Sequence, residues 1–185
     1  MPGQWEFLVP DPGYASSLAR FDLQNFGRAA WPQAVWEEAL RRKEDHYLIA
    51  VACGRTLRSL PRIIAAGGIS AGPQSEVLTV AVAQSFRRRG IARMLLGSLL
   101  RWAYSAGGAR EVFLEVRRAD AGAQALYREF GFRPVGLRKR YYPDDDALIM
   151  KLDLSALRKA VDVPQGSAFA AQKKRNTQIN SHTNS

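Results

Sequence analysis

Cysteine is almost absent from this chain, with one residue, Cys53, in 185. A disulfide framework is excluded, and with it the small secreted scaffolds that depend on one. Cys53 lies in the apolar run YLIAVAC and reads as a small core residue. Histidine is scarce too, limited to His46 and His182, which argues against a histidine-based site, so no metal is expected. No apolar run approaches the roughly 20 residues that span a bilayer, so no membrane association is expected. The start, MPGQWEFLVPDPG, lacks the basic residues and apolar stretch of a signal peptide. These absences lead to the expectation of a protein of the reducing cytoplasm. Also missing are a GxGxxG fingerprint, a Walker A Gly-Lys-Ser/Thr, a helix-turn-helix, a zinc finger and any internal repeat.

Positive charge is abundant. Lysine and arginine number 27 against 17 aspartates and glutamates, a net charge of +10. Such a balance suits an anionic cofactor or an acidic partner. The arginines are spread along the chain, so direct nucleic-acid binding is not expected. A hydrophobic fraction of 46% and the length predict one globular domain over 1–154. Residues 155–185 are expected to form a polar, disordered tail.

Hydrophobic periodicity orders the domain. Strands are predicted over 6–9, 47–53, 63–69 and 77–83, helices over 14–26 and 34–42. Leu18, Phe21 and Leu23 should face inward from the first helix, and Val35, Ala39 and Leu40 from the second. The stretch 78–106 organises the rest. Leu78, Val80 and Val82 alternate as one buried face of a strand. A turn, Arg87-Arg88-Arg89-Gly90, breaks the alternation. Ile91, Leu95, Leu99 and Trp102 then recur at helical spacing. A strand over 110–116 follows, and strand–helix–strand implies a parallel crossover, ordinarily covered on both faces. Asp120 is a candidate cap for a helix over 121–129. Strands over 132–142 and 147–154 close the domain.

The turn after the strand over 77–83 is suited to phosphate. The first amides of a helix lack internal partners, the helix dipole adds positive charge, and Gly90 allows close approach to the backbone. On the residues alone, a solvated basic turn remains open.

The spacing Arg87-x-x-Gly90-x-Ala92 resembles the acetyl-CoA signature Q/R-x-x-G-x-G/A of the GNAT N-acetyltransferases. Leu114-Glu115-Val116-Arg117, Ala125-Leu126-Tyr127, Gly131-Phe132, Tyr141-Tyr142-Pro143 and the run from Asp146 to Met150 are similar to the RimI/Ard1 branch of that family. The likeness covers about residues 76–152. It implies an α/β (α+β) fold with a mixed sheet of about six to seven strands and about four helices, whose central strands splay to bind acetyl-CoA. It implies cofactor contacts at Val80, Ala81, Val82, Arg87, Arg88, Arg89, Gly90, Ile91, Ala92, Arg93 and Asp120. Asp120 departs from the family's asparagine, since an ionised carboxylate accepts hydrogen bonds but donates none. Ala83-Gln84 departs from the usual Asp-Pro.

By the same resemblance Glu115 is the general base and Tyr127 the acid, and the acceptor is a peptide N-terminus, the alanine that begins ribosomal protein S18. An α-amine with a pKa near 8 needs only a modest base, and partial burial would raise a carboxylate toward that task. Trp31, Tyr141 and Tyr142 are candidate walls of the acceptor groove. Read without the resemblance, Glu115 is a salt-bridged carboxylate, Tyr127 a core residue, and the other aromatics are packing. Broader Ard1-like specificity, a small-molecule amine acceptor, a non-catalytic acetyl-CoA module and an RNA-associated protein stay open as alternatives.

Overall fold

A computed structural model describes residues 5–52 and 62–154 of the chain. Cys53 and the expected polar tail lie outside the described residues. Seven strands run in chain order: β1 (Trp5–Leu8), β2 (Asp45–Ala52), β3 (Arg62–Ser70), β4 (Gln74–Val82), β5 (Glu111–Arg117), β6 (Arg133–Tyr142) and β7 (Asp145–Asp153). Four helices accompany them: α1 (Ala15–Phe26), α2 (Gln33–Ala39), α3 (Ile91–Ser105) and α4 (Ala121–Glu129). One mixed sheet of order β1-β2-β3-β4-β5-β7-β6 results. Every predicted element is present. None of the described helices is long and apolar enough to cross a membrane.

The first four strands pair antiparallel, β2 to β4 as a meander and β1 joined to β2 through α1 and α2, and β4 meets β5 in parallel across α3. A hairpin then returns the chain so that β7, not β6, lies beside β5. Because β2 lies between two helical layers, both of its faces are apolar. Tyr47, Ile49 and Val51 pack with α1 and α2, while Leu48 and Ala50 pack with α3. From α3, Leu95, Leu96, Leu99 and Leu100 are fully buried, each contributing about 1.5–3 kcal/mol. The close seat of α3 on β3 requires Gly67, where an added Cβ would lie 2.9 Å from a Leu99 methyl.

Three packing expectations are corrected. Leu23 is 63% exposed and Val35 41% exposed, because α1 turns Leu18 and Phe21 inward and α2 turns Trp36 and Ala39 inward. Leu78 does not share a face with Val80 and Val82. A register shift opposite Gly68 and Ile69 bulges β4 at that point. Leu78 consequently joins the α1–α2 side, and Val80 and Val82 join the α3 side. Nor is β5 covered on both faces. Val112, Leu114 and Val116 are buried under α3 and α4, whereas Glu111, Phe113, Glu115 and Arg117 alternate with them on a half-open face.

Candidate active site

At the sheet's centre β4 and β5 pair over three rungs only, Gln74 with Glu111, Ser75 with Val112 and Glu76 with Phe113. Beyond Glu76 each strand keeps only its outer neighbour, β3 for β4 and β7 for β5. The two C-terminal ends therefore diverge as a V. Backbone groups on the inner edges of a V cannot pair with each other and suit an extended polar ligand.

The basic turn stands on one arm of the V. A short 3-10 turn, Gln84–Phe86, leads from β4 into it. Arg88 and Gly90 both adopt left-handed backbone, φ 61° and 79°, and Gly90 caps α3 without any side-chain bond. An added Cβ at Gly90 would meet nothing within 4 Å. The space before the first amides of a 15-residue helix is thus open, which fits a pyrophosphate. The arginines divide their work. Arg87 Nε donates to the Val82 carbonyl at 3.0 Å, so that carbonyl is already engaged. Arg89 donates to the Ser85 carbonyl at 3.1 Å and lies over Phe86. Arg93 is paired with Glu129. Arg88 carries no such contact among the described residues. Ile91 is buried under the helix, and Ala92 is partly buried against the same core.

The other arm holds the carboxylate. Glu115 lies on the half-open face, its side chain 17% exposed, and Oε1 accepts from Arg138 Nη1 at 2.7 Å. Three residues of β6, between Arg138 and Tyr142, oppose the single residue Asp146 of β7, and Arg140 there has φ 53°. This bulge brings Tyr141 and Tyr142 around Glu115. Arg138 stacks on Tyr141 at 4.9 Å, and Arg117 on Tyr142 at 4.3 Å. A hydroxyl bond to Glu115 pushes Tyr141 up to about 12. Burial first, then the Glu115 charge, raises Tyr142. Glu76 faces the same cluster, and partial burial followed by repulsion from Glu115 lifts its carboxyl above the usual range.

Tyr127 is buried, and its ring packs edge-on against Phe132 at 5.8 Å. Burial, then the charges of Asp120 and Tyr142, raises its hydroxyl far above the ordinary value. Among the described residues no hydrogen bond joins it to Glu115; Tyr142 stands electrostatically between them. Asp120 caps α4, accepting from the Ala123 N–H at 2.8 Å. It lines an open hollow of about 450 Å³ with Arg117, Ala119, Asp144 and Asp145. Gln124 ties this loop down by donating to the carbonyls of Arg117 and Arg118.

The structure thus gathers Glu115, Tyr141 and Tyr142. It leaves Trp31 elsewhere, packed on Trp36 at 5.0 Å in the α1–α2 layer. Sequence reasoning missed Arg138 and Glu76. Arg138 was hidden in the basic run RKRYY, and Glu76 precedes the apolar part of β4. Neither carries a local signal, since their proximity to Glu115 is set by strand order. No group of His, Cys, Asp and Glu suited to a metal occurs among the described residues.

A profile of the acetyltransferase (GNAT) family matches residues 9–132. An N-alpha-acetyltransferase RimI of Mycobacterium tuberculosis is 37% identical over 147 residues, which is 75% of this chain and 86% of that protein. The [ribosomal protein bS18]-alanine N-acetyltransferase of Salmonella typhimurium is 38% identical over 86 residues, 44% of this chain and 57% of that enzyme. A Mycobacterium leprae relative of unassigned role is 36% identical over 145 residues, 76% of this chain, and the match spans 38% of its length. Among solved structures, Arabidopsis thaliana NAA60 in complex with acetyl-CoA superposes with a TM-score of 0.73 at 16% identity, covering 82% of this chain and 99% of that one.

Proposed function

The chain belongs to the acetyltransferase (GNAT) family, and from that premise we propose that it transfers acetyl from acetyl-CoA to the α-amine of a peptide N-terminus. The observation that carries this reading is the V between β4 and β5, with an open helix start on one arm and a carboxylate on the other. The acceptor we favour is the N-terminal alanine of ribosomal protein S18. Support comes from the Glu115, Tyr127 and Tyr141-Tyr142-Pro143 motifs and from the Salmonella relative's described activity. The catalytic unit is residues 1–154.

Acetyl-CoA, when bound, supplies an acetyl group activated as a thioester. The amides at Gly90, Ile91, Ala92 and Arg93, with Arg88 beside them, would hold its pyrophosphate. Val80 and Ala81 would offer backbone groups along the arm of the V, while Val82 contributes its remaining groups, its carbonyl being held by Arg87. Asp120 serves as a helix cap, since an ionised carboxylate would repel a nearby phosphate.

An incoming α-amine arrives protonated and must lose that proton to attack. Glu115 accepts it, held in position by Arg138. Tyr127 keeps its own proton at neutral pH, because burial disfavours the phenolate. That hydroxyl is then the donor toward the departing sulfur. Tyr141 and Tyr142 flank the acceptor side.

The test is acetyl transfer to a panel of peptides: the S18 N-terminus, the same peptide with its amine blocked, other N-termini and an internal-lysine peptide. Selective transfer to the free S18 terminus is expected. Transfer to many termini would replace it with an Ard1-like specificity. No transfer to any peptide, with acetyl-CoA still bound, would point to a small-molecule amine.

A further inference from the structure

Glu129 stands where a helix does not favour a carboxylate. It is the last residue of α4, at the negative end of that helix's dipole. By contrast, α3 has no acidic residue in its first turn, where its dipole would favour one. The fold brings these two helix ends together. Phe130 packs against α3 at Gly97, where an added Cβ would lie 3.5 Å from its ring. One helical turn before Gly97, Arg93 Nη2 is ion-paired with Glu129 Oε2. Both side chains are half-exposed, so the pair can open to solvent. Arg93 is the third residue of α3. Side chains on a helix lean toward its N-terminus, so this guanidinium reaches back toward the open space before the first amides. Arg87 and Arg89 donate to backbone carbonyls. Among the described residues, Arg93 is the one arginine of 87–93 that is paired with a carboxylate.

We propose that Glu129 is an internal competitor of the cofactor's pyrophosphate: it holds Arg93 in the free protein, and acetyl-CoA takes that guanidinium over when it binds. The proposal rests on the acetyl-transfer reading and deepens it. No covalent bond changes. One charge-assisted contact to a carboxylate is exchanged for one to a phosphate. Two effects then oppose binding. The ion pair has to open, and the released carboxylate faces the negative charge of the phosphates. Because an exposed ion pair is weak, this opposition is small and a pyrophosphate overcomes it. Product CoA carries the same pyrophosphate and meets the same opposition. Glu129 therefore hastens its departure, since affinity differences of this kind appear mainly in dissociation rates. As a stability device the pair is poorly placed, because the α4 dipole offsets part of what an exposed pair contributes.

The experiment uses the full chain, with Glu129→Gln, Arg93→Gln and the double variant. Glu38→Gln is the control: it removes another exposed ion pair, with Arg42, from α2 on the opposite face of the sheet. Calorimetry measures the affinity of each for acetyl-CoA and for CoA at low and high salt. Glu129→Gln should bind both about threefold to fivefold more tightly, the size of an exposed ion pair. The gain should shrink at high salt. Arg93→Gln should weaken both, and adding Glu129→Gln to it should change little, so that the two sites are coupled. Unchanged or weaker binding by Glu129→Gln would overturn the proposal. So would equal tightening with and without Arg93, or by Glu38→Gln, since overall charge would then explain it. Thermal unfolding provides a separate readout, and Glu129→Gln should leave its midpoint in place. A lowered midpoint with unmoved affinity would return the pair to structure alone. A wild type that binds no acetyl-CoA overturns both readings. One that binds it but acetylates no peptide sinks the acceptor reading and leaves this result standing.

Discussion

The two halves of the sheet bury carboxylates in opposite ways. On the β1–β4 side, helices cover both faces, and Asp22 of α1 is 2% exposed. Its Oδ2 accepts from the Trp31 N–H at 3.3 Å and the Trp36 indole at 3.2 Å, while its Oδ1 has no partner. Burial raises Asp22 from 3.8 to about 6, against the pull of those two bonds. On the β5–β7–β6 side one face stays half-open, and Glu115 meets a guanidinium, two tyrosines and a second carboxylate. A closed layer leaves a carboxylate only the donors already in the fold, so the charged form is disfavoured and its role is to join α1 to the α1–α2 segment. An open face leaves room for a substrate amine and allows charges to converge from three strands. The proposed proton transfer therefore falls in the half with the thinner cover.

The sharpest test of this contrast lies at the open half. Glu115→Gln should lower turnover at pH 7 by about 10²–10⁴-fold, flatten its pH dependence and leave acetyl-CoA affinity unchanged, measured by steady-state kinetics and calorimetry. A wild-type rate would erase the functional distinction between the halves. At the closed half, Asp22→Asn should act on stability instead. Between pH about 4 and 6 the native state retains a proton on Asp22 that the unfolded chain has lost. Stability therefore falls as pH rises through that window, by at most about 3 kcal/mol. The asparagine variant should lose this slope and be the more stable protein at pH 8, read by urea unfolding at several pH values. A slope unchanged in the variant would remove Asp22 as its source.

Tyr127→Phe probes the two parts of one side chain, a core ring and the hydroxyl proposed as proton donor. It should slow turnover by about tenfold with little change in thermal unfolding. A large loss of stability at unchanged rate would return Tyr127 to the core alone. The smallest expected effect is at Gly90, where φ is 79°. Gly90→Ala should cost about 1–2 kcal/mol of backbone strain and weaken acetyl-CoA binding several-fold, measured by calorimetry. Unchanged affinity would detach the turn from the cofactor.

How legible each half was follows from how its residues are gathered. The turn and helix over 84–106 are continuous in sequence, so Gly90 and the leucine stripe of α3 could be read directly. Leu23 and Val35 were misplaced because a helix shows which residues are apolar but not how far it is rotated onto its sheet. Leu78 was misplaced because a bulge of one residue reverses every later face, and bulges have weak local signatures. Arg138 was unreadable because β7 separates β6 from β5, an order that the alternation within a strand does not encode.

The amino-acid order by itself determined the elements, the basic helix start at Gly90 and the motif residues Glu115 and Tyr127, because each rests on contacts within a few residues. Tertiary structure alone decided that β4 and β5 part after Glu76, that one face of β5 stays open, and that Glu76 and Arg138 converge on Glu115. Those outcomes depend on strand order and helix coverage, where one polar group meets another across distant segments of the chain.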